Sequence, residues 1–245
     1  MFIDTSYDFR ADAAGKDPDA HSPTLRRYHR FLWSKPLPSG RPFDLSDTVP
    51  GVYLYHHSEL GQFFLSSDSV IPTYTRRLRH TEFFSEEENA GFQSISYTIG
   101  GMMVFPGNRI DGKYTINVAR GFNSRIADRM DLTLECVRRH YLGENSPLRD
   151  VLSRYREFFA LFDDFRGYVD FFLLQDLVND NRGEVNFLIP FNDFKPPSTP
   201  RDKAEYVAYR NRTIEFINSR NRRIDKYATS VTPAFVKDRP PQIST

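Results

Sequence analysis

The chain has 245 residues, and its 33 basic and 32 acidic side chains leave a net charge of +1. Apolar residues make up 39% of it and aromatic residues 15%, which is enough to fill a core and excludes a wholly disordered protein. Near-neutral charge argues against a general nucleic-acid coat, and the single cysteine, Cys136, excludes an internal disulfide and a cysteine-based zinc cage. The chain has no long apolar window and no basic, apolar leader, so we expect a cytoplasmic protein without a membrane span.

The residue composition of the first half of the chain is typical of loops and strands. Residues 1–50 are rich in Asp, Pro, Ser and Gly, which predicts an irregular wrap with one short helix from Thr24 to Trp33. Short runs of aromatic and β-branched residues, separated by Gly, Pro, Asn or Asp, fill residues 51–122. They predict strands at Val52–His57, Gln62–Ser67, Phe92–Ile99, Met102–Phe105 and Tyr114–Val118.

From residue 125 onward the apolar residues recur with helical spacing. This spacing, with Gly143 at its end, predicts a helix from Asp128 to Leu142. Ser146 and Pro147 are typical of an N-cap and first helical position, so a second helix is predicted there. The remaining predicted elements are a buried helix at Tyr168–Val178, a strand at Val185–Phe191, a long helix from Thr199 to Tyr227, and a flexible tail at 229–245.

Together these patterns predict a single α+β domain over residues 1–228. Strands are expected in 51–122 and mainly helices in 125–227, after the wrap of 1–50. We expect an antiparallel sheet in the N-terminal half, with helices from the C-terminal half packed on it. The segregation of strands from helices argues against a Rossmann-like alternation.

The stretch from Gly107 to Thr115 comes close to a P-loop without matching one. Gly112 and Lys113 have the required spacing, but Tyr114 stands where Ser or Thr must hold Mg²⁺. Asp111 and Lys113 also have the spacing of a metal-dependent nuclease core, whereas a type I′ hairpin turn at Asp111–Gly112 explains the same residues without chemistry. We therefore predict a hairpin here and no metal site.

Polar residues concentrate where the predicted sheet passes into the helices. In a strand over Lys113–Val118, Lys113 and Asn117 share one face, and Arg120 follows directly beside Gly121. Such a cluster suits an anionic group such as phosphate. A solvated sheet face with structural Arg–Asp pairs explains the same residues without a ligand. The candidate ligand-binding residues are Arg109, Lys113, Asn117 and Arg120, and the carboxylates available for a metal or for general-base work, if there is catalysis, are Asp111 and Asp128.

Several segments resemble a bacterial family known only as a domain of unknown function. The resemblance runs from residue 4 to about residue 227 and implies a bacterial, cytoplasmic setting, but no activity, cofactor or catalytic residue. The segments that carry it are SPTLRRYH (22–29), LWSKPLPSG (32–40), FLSSDS (64–69), FPGNRIDGKYTINVARGF (105–122) and DRMDLTLECVRRHY (128–141).

Two functions from different classes follow from these observations. The first is the binding of a phosphate-bearing ligand, either a nucleotide or a nucleic-acid strand, at the polar junction between sheet and helices. The second is a non-enzymatic interaction protein, a homo-oligomer or a partner-binding subunit, because the helices over 148–178 carry more Phe and Tyr than a modest core needs. Convergence of Arg109, Lys113, Asn117 and Arg120 in one pocket would favour the first, and outward, separate orientations would favour the second.

Overall fold

The structure is a computed structural model and describes residues 2–46, 54–71, 83–179, 183–196 and 198–237, with side chains up to residue 231. The N-terminal segment contributes two helices, α1 (Pro18–His21) and α2 (Pro23–Trp33). Ser22 separates them, and its hydroxyl accepts a hydrogen bond from the Leu25 amide at 3.0 Å, as an N-cap does. The predicted helix from Thr24 to Trp33 is thus confirmed. A small antiparallel ladder follows, formed by β1 (Lys35–Pro36) and β2 (Pro42–Phe43).

The main sheet has three antiparallel strands, β3 (Leu54–Ser58), β4 (Gly61–Ser69) and β5 (Met102–Pro106), with β4 in the middle. Three of the predicted strands are therefore confirmed, apart from residues 52 and 53, which lie outside the described residues. Alternation along β4 directs Ser67 to the side of α2 and Asp68 to the opposite side. This alternation places two different polar clusters on the two faces of one strand.

Two of the predicted strands are helices. The segment predicted as Phe92–Ile99 belongs to α3 (Glu86–Ser96), which begins with a capping box between Ser85 and Glu88. The segment predicted as Tyr114–Val118 leads into α4 (Ile116–Phe122), because the Thr115 hydroxyl accepts from the Val118 amide and caps a helix there. In both segments a side chain caps the N-terminus of a helix, and this favours helix although the residues that follow have a high β propensity.

The turn at Asp111–Gly112 is present, but the hairpin is not. Asp111 has φ 53° and Gly112 has φ 68°, and positive φ at both central positions is what a type I′ turn requires. The residues on either side form no strand pair in the described part of the chain, because the downstream arm is the loop that enters α4. The prediction of a turn is confirmed and the prediction of a hairpin is wrong.

The middle of the chain is helical and rich in buried aromatic rings. The helices are α5 (Met130–Tyr141), α6 (Arg149–Arg154), α7 (Arg156–Ala160) and α8 (Phe165–Phe171). Pairs such as Tyr168–Phe172 and Phe162–Phe171 lie with ring centroids 5.0 Å apart. The Phe and Tyr surplus therefore fills the protein's own core, and no longer motivates an interaction surface on these helices. The fully or nearly fully buried rings are Phe158, Phe159, Phe162, Phe165, Tyr168, Phe171 and Phe172.

Several boundaries in the C-terminal half differ from the prediction. The helix predicted from Ser146 begins at Arg149 with Leu148 at its N-cap. The helix predicted at Tyr168–Val178 ends at Phe171, because Leu173 adopts φ 53° and turns the chain. Of the predicted strand Val185–Phe191, only β7 (Glu184–Val185) pairs, with β6 (Val178–Asn179). The Leu188 amide instead donates to Asp131 Oδ2 at 2.9 Å, which replaces a strand partner.

The last helix, α9 (Lys203–Lys237), starts later and ends later than the predicted Thr199–Tyr227. Residues 229–237 are thus helical, which corrects the prediction of a flexible tail there; 238–245 lie outside the described residues. Arg220 joins α9 to the rest of the fold, because its buried guanidinium donates to the carbonyls of Leu173, Gly100, Met102 and Phe172. Among the described helices, none combines the length and the apolarity that crossing a bilayer requires. An α+β fold with its three-stranded antiparallel sheet in the N-terminal half is confirmed.

Candidate functional site

The polar junction between the sheet and the helices is built around a buried arginine. Arg120, on α4, is fully buried, and its Nη1 lies 2.7 Å from Asp68 Oδ2 and 2.9 Å from Asp128 Oδ1. Its Nε donates to Thr133 Oγ1 at 3.1 Å, and its Nη2 donates to the Asp128 carbonyl at 2.6 Å. One guanidinium therefore ties β4, α4 and the start of α5 together. We call Arg120, Asp68, Asp128 and Thr133 the Arg120 cluster.

The Arg120 cluster holds one more carboxylate than it has cations. Burial raises the pKa of the Asp68 carboxyl to about 7, and the negative charge of Asp128 adds to the rise, although Arg120 acts in the opposite direction. The Asp68 side chain is still 26% exposed, whereas Asp128 is 1% exposed. Asp68 is therefore a carboxyl with a raised pKa at the edge of a buried ion-pair network.

This arrangement corrects the roles expected for Arg120 and Asp128. Arg120 has no free face to offer a phosphate, because carboxylates, a hydroxyl and a carbonyl already occupy its donors. Asp128 and the preceding Ala127 both lie in the left-handed region, with φ 63° and 51°. The Asp128 carboxylate forms an ion pair with Arg120. The alternative interpretation from the sequence, structural Arg–Asp pairs, describes both residues.

The other predicted residues do not converge with Arg120 in one pocket. Asn117 Nδ2 donates to Ser66 Oγ at 3.3 Å and to the Ser67 carbonyl at 3.4 Å, so its side chain faces β4. Its Oδ1 is buried and has no hydrogen-bond partner among the described residues. Arg109, Asp111 and Lys113 are all exposed in the loop before α4. The expected single site is thus divided between a buried cluster and an exposed loop, and the convergence that would favour a ligand at these four residues is absent.

The opposite face of β4 carries a chain of hydrogen bonds that resembles a catalytic triad by composition. Ser67 Oγ lies 2.5 Å from Asp19 Oδ1 and 2.9 Å from His29 Nε2. Trp33 Nε1 donates to His29 Nδ1 at 2.9 Å, so the neutral ring carries its proton on Nε2 and donates it to Ser67. Ser67 in turn donates to Asp19.

The direction of these hydrogen bonds is opposite to the one that activates a serine. In a triad the histidine accepts the serine proton and the carboxylate accepts from the histidine. Here burial lowers the pKa of His29 to about 3, with Arg220 and Arg26 acting in the same direction, and the ring is already a donor to Ser67. Burial raises the pKa of Asp19 to about 7, against the effect of the Ser67 hydrogen bonds. These residues stabilise the contact between α1, α2 and β4.

A groove opens where the loop before α4 meets α6, and we call it the junction groove. Its volume is about 540 Å³, and it is lined by Lys113, Tyr114, Leu148, Asp150, Val151 and Arg154, among others. Leu148 and Val151 form an apolar floor, since they are 2% and 5% exposed.

Arg154 is the residue of this groove that sequence reasoning missed. Its Nη2 donates to the Tyr114 carbonyl at 2.7 Å and its Nη1 to the Asp150 carbonyl at 3.3 Å. Its Nε is buried and has no hydrogen-bond partner among the residues that the structure describes. The hydrogen bond to the Tyr114 carbonyl holds Arg154 beside the loop that contains Lys113. Arg154 and Tyr114 are 40 residues apart, so no local spacing in the sequence indicates this contact.

The exposed aromatic residues Tyr114 and Phe122 lie beside each other at this junction. Their ring centroids are 5.9 Å apart, and they are 57% and 60% exposed. Tyr114 also lines the junction groove. A groove with an apolar floor, two cations and an aromatic wall is chemically suited to a ligand that is planar at one end and anionic at the other.

Comparison with known proteins identifies the family but no function. No curated protein and no solved structure matches the chain significantly. A family model covers residues 3–224, nearly the same extent as the resemblance seen in the sequence. The chain therefore belongs to the family of unknown function DUF6994.

Proposed function

We propose that this protein binds a small phosphate-bearing ligand, a nucleotide, in the junction groove. The observation that carries the proposal is the buried, unpaired Nε–H of Arg154 in a groove that Lys113 also lines. A buried donor without an acceptor costs free energy, and an anionic oxygen bound there would satisfy it with a charge-assisted hydrogen bond. The phosphate therefore lies between Lys113 and Arg154 in this proposal.

The shape of the groove favours a mononucleotide over a nucleic-acid strand. Its volume of about 540 Å³ falls in the range of small-molecule pockets, roughly 300 to 1,000 Å³. Tyr114 offers an aromatic face on which a base can stack, while Leu148 and Val151 supply an apolar floor. Asp150 belongs to the same lining, and as a carboxylate it accepts hydrogen bonds, which suits a base amino group or a ribose hydroxyl and not a phosphate.

The first experiment is native mass spectrometry of freshly purified protein, with the ratio of absorbance at 260 and 280 nm recorded on the same sample. A retained mass with the absorbance of a nucleobase would support the proposal directly. Apo protein is then titrated calorimetrically with ATP, AMP and inorganic phosphate. Binding of the nucleotides and not of phosphate alone would support a site that holds both base and phosphate.

Variants of the groove test its location. We expect Lys113→Gln and Arg154→Gln each to weaken nucleotide binding by about tenfold or more, since a charge-assisted hydrogen bond contributes roughly 1.5 to 3 kcal/mol. The matched control is Arg166→Gln, which removes an exposed arginine on α8, away from the groove lining. Wild-type affinity in both groove variants, or no binding of either nucleotide at millimolar concentration, would contradict the proposal.

The second candidate function, an interaction protein, is favoured by one observation, the exposure of Tyr114 and Phe122. Two large aromatic side chains side by side on a surface are typical of a protein interface. If this reading is right, the chain sediments as a dimer at micromolar concentration, and Phe122→Ser converts it to a monomer. A monomeric wild-type chain would remove the homo-oligomer form of this alternative.

A further inference from the structure

A cavity that shares no residue with the junction groove lies between the last helix and the segment from 176 to 188, and we call it the α9 cavity. Its volume is about 340 Å³, at the lower end of the range for small-molecule pockets, roughly 300 to 1,000 Å³. Four of its lining residues lie on one face of α9, because side chains three, four and seven positions apart share a face of a helix. These four are Arg212, Glu215, Phe216 and Ser219.

The two charged side chains on this face have opposite signs and do not pair with each other. Arg212 Nη1 donates to the Leu188 carbonyl at 3.1 Å, which holds the guanidinium beside the loop after β7. Glu215 forms no hydrogen bond or ion pair with any residue that the structure describes. Residues three apart on a helix have Cβ atoms about 5–6 Å from each other, which is close enough for an ion pair. The cavity therefore presents one guanidinium and one carboxylate that remain available to a ligand.

The other acid of the lining already has a cation. Asp176, in the short 3₁₀ helix Gln175–Leu177, accepts from Arg223 Nε at 2.8 Å and from Arg223 Nη2 at 3.0 Å. This bidentate pair leaves Arg212 and Glu215 as the unpaired charges of the described lining. A ligand with one positive and one negative group complements both side chains, whereas an ion of one sign would leave one of them without a partner.

The remaining lining is mainly apolar. Leu177, Leu188 and Phe216 are buried and form the floor of the cavity. Half-buried Phe187 adds an aromatic ring, and Asn186 adds a side-chain amide that makes no hydrogen bond to a described residue. Such a floor favours a hydrocarbon or aromatic group, since burial removes that group from water.

We propose that the α9 cavity binds a free α-amino acid with an apolar side chain. The ligand carboxylate binds Arg212, and the ligand ammonium binds Glu215, both through charge-assisted hydrogen bonds. The apolar side chain lies on the floor of Leu177, Leu188 and Phe216. An α-amino acid carries its two charged groups on one carbon atom, which suits two protein side chains one helical turn apart. Because this site recognises no phosphate, it is independent of the junction groove.

The test is titration of the intact chain with L-leucine, L-methionine and L-phenylalanine, measured by calorimetry and by ligand-observed NMR. Two derivatives of the amino acid that binds best each remove one charge: the N-acetyl form has no ammonium, and the amide has no carboxylate. We expect each derivative to bind at least about tenfold more weakly, because each loses its charge-assisted hydrogen bonds. The amide also mimics the first residue of a peptide, so an amide that binds as tightly as the free amino acid would overturn the proposal in favour of a peptide N-terminus.

Two variants assign the ends of the ligand to their partners. Glu215→Gln should weaken binding of the amino acid by about tenfold or more without weakening binding of the N-acetyl form further, and Arg212→Gln should have the corresponding effect with the amide. The matched controls, Asp225→Asn and Arg222→Gln, remove exposed charges of α9 outside the cavity lining and should keep the wild-type affinity. All four positions are exposed, so we expect each variant to fold, which thermal unfolding checks.

Two results would overturn the proposal. The first is no binding of any of the three amino acids to the wild-type chain at millimolar concentration. The second is wild-type affinity for the amino acid in either Glu215→Gln or Arg212→Gln, because both ends of the ligand must contribute.

Discussion

Removal of the buried arginine of the Arg120 cluster is the sharpest test of how the junction is built. In Arg120→Met, Asp68 and Asp128 lose the guanidinium that lies 2.7 and 2.9 Å from them, and Thr133 loses a donor. Breaking a buried ion pair by removing one partner costs about 3 to 5 kcal/mol, because the remaining charge is left without compensation. For a domain of this size that corresponds to a fall in Tm of roughly 6 to 20 °C.

Equilibrium unfolding in urea measures this loss. The only tryptophan, Trp33, is fully buried, so its fluorescence reports on loss of the core. The matched control is Arg109→Met, which removes an arginine that is exposed in the loop before α4 and should change the free energy of unfolding by no more than about 0.5 kcal/mol.

A double-mutant cycle isolates the ion pair from the other effects of the substitution. Asp68→Asn alone should destabilise the chain, but in the Arg120→Met background it removes a carboxyl that no longer has a partner. The coupling free energy between the two positions should therefore be about 1 to 3 kcal/mol. Additivity within about 0.5 kcal/mol, or equal stability of Arg120→Met and Arg109→Met, would refute the reading of Arg120 as a structural cation.

Two further predictions concern backbone packing and pH. A Cβ on Gly101 would lie 2.1 Å from the Ser96 carbonyl oxygen, so Gly101→Ala should lower the thermal midpoint strongly. A Cβ on Gly91, in helix α3, would meet nothing within 4 Å, so Gly91→Ala should raise the free energy of unfolding by about 0.5 to 1 kcal/mol. Calorimetry of both variants checks the contrast. The pKa of Asp19 is raised from 3.8 to about 7, so the folded state binds its proton more tightly and this contribution to stability is lost as pH rises from about 4 through 7. Its upper bound is on the order of 4 kcal/mol, and Asp19→Asn should flatten the decline in stability between pH 5 and 8; an unchanged slope in urea unfolding at several pH values would contradict this assignment.

Local patterns in the sequence were sufficient where one residue decides the geometry. The Asp111–Gly112 pair predicted a type I′ turn, which has two positive φ angles, and helical spacing predicted α5. The same kind of signal was available and overlooked at Ser85 and Glu88, three residues apart, which cap the helix that was predicted as a strand. These features could be predicted because capping and turn geometry are interactions between neighbours in the chain.

The candidate sites depended on contacts that no local pattern carries. Lys113 was expected in the site and does line the junction groove, but the other cation of that lining is Arg154 rather than Arg120. The sequence shows a concentration of arginines before α5, but two of them have different roles. Arg120 is a buried structural cation, whereas Arg109 is an exposed side chain. Burial separates these two roles, and burial is a property of the assembled fold.

The sequence by itself thus determined the α+β class, the three strands of the main sheet and the helices α2, α5 and α9, because these follow from periodicity, capping and composition over a few residues. The tertiary structure alone decided which charges meet. It placed Asp68 against Arg120, 52 residues apart in the chain, and Arg154 against the Tyr114 carbonyl, 40 residues apart. The physical reason is that solvation and pairing of a charged group depend on everything packed around it, and that surrounding is formed by segments far apart in the chain.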